Sequence, residues 1–391
     1  MSSAASLQAL LQSDLPEVTL DHGAQRRLKV VSDHLFPVLA EDGSDLGSLA
    51  PLLLSERYDA LVAYLFPDDN EALGVSPGLL RYSEPPSLAT FVASCLVPNA
   101  PAVFPVDMSE PLFKHMSQFV NDAGEPDVRA LAAFFPACTR ATVVDCSLAD
   151  QPREQMTLAA FAESDTPSLY MRDLHLVAAA PETFTYEAPT LFAMDWPATC
   201  FDCGLEGVSD MRFVYCSAST GTSTPCHCDV MNTYSWSVSL CGVKHWQMWP
   251  PCATPLLYDV FGQRLAPWPR REDTSQLMWP KASSAPCIEF HQHPGEAVFV
   301  PSGWRHTVVN ASPGGVLSVN ANWFNAFNVH WVLHHLCVEQ RDNQAAREQV
   351  ARMLAFVKEQ TLQTRKGDDS LLAALTVRRC EQALAVLGHS C

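Results

Sequence analysis

Positive charge and long apolar runs are both scarce in this 391-residue chain. Twenty-five Lys and Arg stand against 43 Asp and Glu, a formal net charge of −18 at pH 7. A chain so poor in cations has no general attraction for nucleic-acid phosphate, so direct nucleic-acid binding is not expected. No apolar run approaches 18 residues, and no membrane span is expected. A secretory leader is not expected either, because the first Lys or Arg is Arg26 and Asp14 and Glu17 interrupt the apolar residues ahead of it. The fourteen cysteines then read as free, mostly buried thiols of a reducing compartment, cytoplasmic or nuclear. Cys200 and Cys203 have the spacing of half a zinc site. No second Cys or Cys/His pair with ligand spacing lies nearby, so zinc is not expected there.

One stretch carries most of the chemistry: TPCHCDVMNTYSWSVSLCGVKHWQMWPP, Thr224 to Pro251. It opens with a His-x-Asp pair, His227 and Asp229, and imidazole with carboxylate suits a borderline divalent ion. A second stretch, GEAVFVPSGWRHTVVN (295–310), reads as strand, Pro-Ser-Gly turn and strand, and delivers His306. Seventy-nine residues separate the two histidines, far enough for them to come from different strands of one barrel. Two histidines and one carboxylate form the facial set of non-haem iron sites. In the strand reading of 243–249, Lys244, Trp246 and Met248 share a face. A lysine there is either a snorkelling edge residue or a buried cation awaiting an anion.

HCD at 227–229, GVKHW at 242–246, GEAVFVPSGWRHTVVN and SVNANWFN (318–325) resemble the JmjC family of Fe(II)- and 2-oxoglutarate-dependent oxygenases, over roughly residues 85–335. The resemblance implies a mainly β fold, a double-stranded β-helix or cupin-like jelly roll, with helical additions at both ends. It implies Fe(II), 2-oxoglutarate and dioxygen, with His227, Asp229 and His306 as metal ligands and catalytic residues. It also implies a co-substrate pocket made of Tyr170, Thr224, Ser237, Lys244 and Asn320. RFVYCS, TPCHCDV, YSWSVSLCG and NANWFNAFN resemble the branch of the family that hydroxylates lysine in a translation termination factor, so a protein substrate is implied. An N-methyl-lysine or N-methyl-arginine demethylase would share every one of these residues. The chain lacks recognisable PHD, Tudor or zinc-cluster modules, which weighs against a chromatin demethylase. A non-catalytic barrel and a metal-dependent cupin isomerase are further readings; the intact ligand set and Lys244 weigh against them.

The organisation expected is a helical extension over 1–84, an oxygenase domain over 85–327 and a helical region over 328–391. In the extension, 24–42 and 55–66 have apolar residues at helical spacing. The C-terminal helices are expected either to pack on their own barrel or to form a homodimer. In the strand SLYMRDLHL (168–176), Arg172 lies two residues beyond Tyr170 and shares its face, as a substrate or co-substrate contact. Asn320 and Asn322 likewise share a side. Six prolines over 252–294 argue for loop over helix or strand, read as a lid at the substrate entrance or a plain surface excursion. His291 and His293 in that segment read as loop or edge histidines, not metal ligands.

Overall fold

The computed structural model describes residues 78–96, 98–180, 184–340, 342–364 and 371–388. The helices expected over 24–42 and 55–66 lie outside the described residues.

Thirteen strands among the described residues form two sheets. In chain order they begin with β1 (Leu80–Arg81), β2 (Ala102–Pro105), β3 (Arg140–Asp145), β4 (Arg153–Thr157) and β5 (Leu169–His175). Then come β6 (Arg212–Ser217), β7 (Ser223–Cys228), β8 (Tyr234–Cys241) and β9 (Lys244–Trp249). The last four are β10 (Ile288–Gln292), β11 (Glu296–Val300), β12 (Arg305–Asn310) and β13 (Val316–Trp323). The larger sheet runs β1-β2-β11-β8-β13-β6-β5-β3-β4, and the smaller runs β10-β9-β12-β7. Together they make the jelly roll. β1 pairs with β2, so the larger sheet begins before residue 85, inside the segment assigned to the helical extension.

The chain crosses from one sheet to the other in tight turns. Between β8 and β9 the turn is Gly242, at φ +78°, where an added Cβ would run into the carbonyl oxygen of Gly315. Between β11 and β12 it is Pro301-Ser302-Gly303, with Gly303 at φ +75° and Trp331 packed so closely that a Cβ would lie 2.9 Å from its ring. Only glycine takes such a backbone at no steric cost. These turns set β9 and β12 facing the larger sheet.

Alternation along β8 decides what each face meets. Tyr234, Trp236, Val238 and Leu240 enter a core with Phe91, Phe104, Phe113, Phe192 and Trp323, where Phe192 stacks on Trp236 at 4.8 Å. Ser235, Ser237 and Ser239, also buried, occupy the alternate positions. Between the sheets a smaller core of Val103, Trp246, Met248, Val298, Val300 and Trp304 seals one end of the barrel. The polar site occupies the other end.

The segment 252–287 is held by its own short helices and polar contacts. Leu256, Leu257 and Ala285 bury Trp249 from outside, and Arg270 donates to the carbonyls of Ser283 and Ala285. Residues 288–292 are a strand, β10, which corrects the loop reading for that part. The prolines fall on either side of it, at Pro286 and Pro294, and spare IEFHQ between them. His291 stands on this edge strand, its ring stacked on that of His245 at 4.9 Å.

Helices α1 (Trp196–Asp202), α2 (Val329–His334), α3 (Gln344–Thr364) and α4 (Leu371–Val386) share a second core of Trp196, Cys200, Phe324, Leu333, Leu354 and Cys380. The buried apolar residues of these helices pack on one another and on the end of their own barrel. Cys200 lies within this core and Cys203 is exposed. No helix among the described residues is long and apolar enough to cross a membrane.

Candidate metal centre and co-substrate pocket

β7 and β12 are antiparallel partners, and His227 pairs directly with His306. Direct partners present their side chains to the same face a few ångström apart, and these two rings have centroids 4.2 Å apart. Asp229 lies two residues beyond His227 and turns the same way. One ligand atom from each of the three falls within 4.8 Å of the others. That span is slightly more than twice a metal–ligand bond of ~2.0–2.2 Å.

The surroundings set each donor. His227 places Nδ1 2.8 Å from the Pro225 carbonyl, where a neutral ring donates its proton and leaves the Nε2 lone pair free. Burial lowers the pKa of His227. Burial, with His227 alongside, holds His306 down at about 3. Both rings are therefore neutral near pH 7, as metal ligation requires. The Asp229 carboxylate accepts from Ser235 Oγ at 2.8 Å on one oxygen and from Asn322 Nδ2 at 2.9 Å on the other. Beyond it Met231 and Asn232 adopt left-handed conformations, φ +54° and +53°, with Asn232 donating to Glu339 at 3.1 Å. Non-glycine residues hold that backbone only where the surroundings impose it.

Tyr170, Thr224, Ser237, Lys244 and Asn320 line one pocket with the three ligands. They come from β5, β7, β8, β9 and β13. Lys244 is 2% exposed; its ammonium donates to Ser318 Oγ at 2.6 Å and Ser237 Oγ at 3.2 Å. No carboxylate among the described residues pairs with it, and burial pulls its pKa down to about 7. A buried cation satisfied only by hydroxyls is costly until an anion joins it. Tyr170 is buried as well, which raises its phenol above the usual range.

A groove of about 940 Å³ opens on the other side of the ligands. Its lining includes Arg172, Asp173, Tyr215, His227, Asp229 and Asn322. No residue of 252–294 lines the groove or the Lys244 pocket, although Pro267 accepts from the backbone of Cys226 on β7.

A family model described as "JmjC domain, hydroxylase" matches residues 213–323, which hold His227, Asp229, Lys244 and His306. The human "2-oxoglutarate and iron-dependent oxygenase JMJD4" is 32% identical over 300 residues, 70% of this chain and 69% of the relative. The chain belongs to the JmjC family. Also similar is the Arabidopsis thaliana "Arginine-specific demethylase JMJ20", 31% identical over 287 residues, 68% of this chain but only 61% of that protein's length. The "JmjC domain-containing protein 1" of Schizosaccharomyces pombe is 39% identical over 163 residues, 41% of this chain and 33% of its own.

Within this JmjC barrel, sequence reasoning overlooked the residues that hold the ligands. Ser235 and Asn322 anchor Asp229, and Ser318 takes the shortest contact from Lys244. Alternation along SVNANW already puts Ser318, Asn320 and Asn322 on one face, so the signal for two of the three was present.

Proposed function

We propose that this JmjC protein is an Fe(II)- and 2-oxoglutarate-dependent dioxygenase that hydroxylates a protein side chain, lysine in the first instance, with a translation termination factor as candidate substrate. The observation that carries the reading is a His/Asp/His set with both rings neutral, sharing a pocket with a buried lysine that no carboxylate among the described residues pairs with. His227, Asp229 and His306 would hold the iron, and Lys244, Thr224 and Tyr170 the far carboxylate of 2-oxoglutarate. Bound together, iron and 2-oxoglutarate supply the activation of dioxygen that puts one oxygen atom into a C–H bond and leaves succinate and carbon dioxide.

The chain's own residues do the positioning. Ser235 and Asn322 fix both oxygens of Asp229, and the Pro225 carbonyl fixes the tautomer of His227. Trp246 and Val308 wall the pocket with apolar surface and limit water. At the groove Tyr215 donates to Asp173 at 2.8 Å and holds that carboxylate beside the ligands, a setting that favours a cationic target. Buried unbridged thiols such as Cys95, Cys200, Cys216 and Cys241 support a reducing compartment, cytoplasm or nucleus.

The Arabidopsis relative, named an arginine-specific demethylase, favours a second reading, removal of a methyl group from a methylated side chain. The experiment is mass spectrometry of methylated and unmethylated lysine peptides and of intact termination factor after incubation with iron, 2-oxoglutarate and air. A gain of one oxygen on unmethylated lysine is the expected result. Loss of a methyl group with no oxygen retained assigns the demethylase instead.

A further inference from the structure

Strand β5 is interrupted where it passes the metal centre. Met171 pairs with Cys216 and Leu174 with Val214, which leaves Arg172 and Asp173 opposite the single residue Tyr215. Asp173 takes φ +56° to allow this. The result is a β-bulge, a feature that re-aims side chains, and both Arg172 and Asp173 line the open groove.

Asp173 is engaged, accepting from Tyr215 at 2.8 Å with Arg153 3.8 Å away. Arg172 is not engaged. It is 6% exposed, yet no hydrogen-bond acceptor or carboxylate among the described residues reaches its guanidinium. Its recorded neighbour is the ring of Tyr170, with the guanidinium carbon 5.8 Å from the centroid. A cation over a ring at that distance gains only about 0.5–2 kcal/mol, and its nitrogens, not fully buried, keep their donors toward the groove. A metal at the neighbouring ligands would repel it further. Packing does not account for an arginine here, whereas a ligand bringing oxygen acceptors into the groove does.

Arg172 lines the groove and is not among the residues around Lys244, which places it on the groove side of the ligands, away from the co-substrate's far carboxylate. Nor does a carboxylate suit the place. Asp173 stands beside Arg172 on the bulge and Asp150 lines the same groove, so an acidic group brought to Arg172 would meet these carboxylates, while Asp210 is paired with Arg212 and Asp229 belongs to the metal set. Neutral carbonyl oxygens meet no such repulsion. The groove is also walled by β7, the last strand of the smaller sheet, so a chain lying in it passes His227 and Asp229.

We infer that Arg172 is a substrate-binding residue whose guanidinium takes main-chain carbonyl oxygens of an extended peptide lying in the groove. The fork of five N–H donors can hold two such oxygens at once, which fixes the register of the peptide over the metal. The inference rests on the reading of the chain as a protein-modifying enzyme and names the contact that reading lacks.

The test measures binding separately from turnover. Full-length protein is loaded with Mn(II) and 2-oxoglutarate under nitrogen, and fluorescein-labelled, lysine-centred peptide pools are titrated in by anisotropy, one with uncharged and one with acidic flanks. Arg172→Met should weaken both pools alike, by about tenfold or more. Arg172→Lys should restore part of the loss, and the affinity for 2-oxoglutarate should stay within about twofold. Matching thermal melts establish that the variants are folded. Unchanged peptide affinity, a loss confined to the acidic pool, a fall in 2-oxoglutarate affinity or a wild type that binds neither pool overturns the inference. A parallel iron-loaded incubation in air tests the oxygenase reading alone: peptide bound through Arg172 but never oxidised counts against that reading and leaves the Arg172 contact standing.

Discussion

His227 and His306 stand directly opposite one another on β7 and β12, ring centroids 4.2 Å apart, although seventy-nine residues separate them in the chain. Their meeting is a matter of register. A slip of one residue would turn His306 to the other face of its sheet and leave His227 and Asp229 without a third ligand. Gly303 and Trp331, packed at the turn before β12, hold that register.

Removing a ligand and removing its support should differ in degree. Asp229→Ala is expected to abolish metal-dependent consumption of 2-oxoglutarate. Asn322→Ala leaves all three ligands in place but frees one carboxylate oxygen, and should weaken metal binding about 10–100-fold. Competition against a chromophoric chelator measures both. Full affinity in Asn322→Ala would mean that Ser235 alone holds Asp229.

How much of this could be seen in the chain itself depended on whether a feature was local. The His-x-Asp pair, the Pro-Ser-Gly turn before His306 and the shared face of Lys244 and Trp246 are short-range patterns, and they are visible as such. Ser235 and Ser318 are different. The face that Ser318 shares with Asn320 and Asn322 is visible along SVNANW, but what either serine touches follows only from the pairing that brings β8 and β13 opposite β7 and β9. β10 was hidden because prolines were counted over a long window while the strand fits between two of them. Alternation did place Arg172 with Tyr170, and the guanidinium does lie over that ring. The bulge that turns it into the groove depends on the partner strand and leaves no periodic trace.

The crossing from β8 to β9 is exposed to a single methyl group. Gly242→Ala must carry φ +78° and press a Cβ against the Gly315 carbonyl. The expected loss is about 1–3 kcal/mol or more, visible as a lower denaturation midpoint at unchanged slope. A midpoint equal to wild type would show that the two turns can move apart freely.

Arg212 supports the wall of the groove from behind. Its Nε donates to Asp210 at 2.6 Å and its two terminal nitrogens to Asp202 at 2.9 and 2.7 Å. Asp210 in turn accepts from the backbone of Val177 and Ala178, which ties β6 to the chain after β5. Arg212→Met strands a buried carboxylate, so a cost of about 3–5 kcal/mol is expected. Arg212→Met with Asp210→Asn should recover part of it in the same denaturation experiment; no recovery would place the loss in packing and not in charge.

Lys244 offers the sharpest test of the co-substrate assignment, because its charge should depend on what occupies the pocket. Burial lowers its pKa from 10.5 to about 7. Between those values the unfolded chain holds a proton that the folded chain does not, so this residue's contribution to stability rises with pH across the window and is least favourable below about 7. Lys244→Met should flatten that rise while preserving the fold, since length and apolar bulk are retained. A dicarboxylate reverses the preference, for it binds the protonated lysine. Wild-type affinity for 2-oxoglutarate should therefore fall as pH climbs above about 7, and the variant, weaker by about 10–100-fold at neutral pH, should lose that dependence. Lys244→Arg should not restore binding, because a planar guanidinium does not fit a site where Ser237 and Ser318 grip a compact ammonium. Anaerobic titrations with Mn(II) at about pH 6.5 and about pH 8.5 read all three outcomes. Equal affinities for wild type and Lys244→Met would mean that the far carboxylate of the co-substrate is held elsewhere, and Tyr170 and Thr224 would lose their assignment with it.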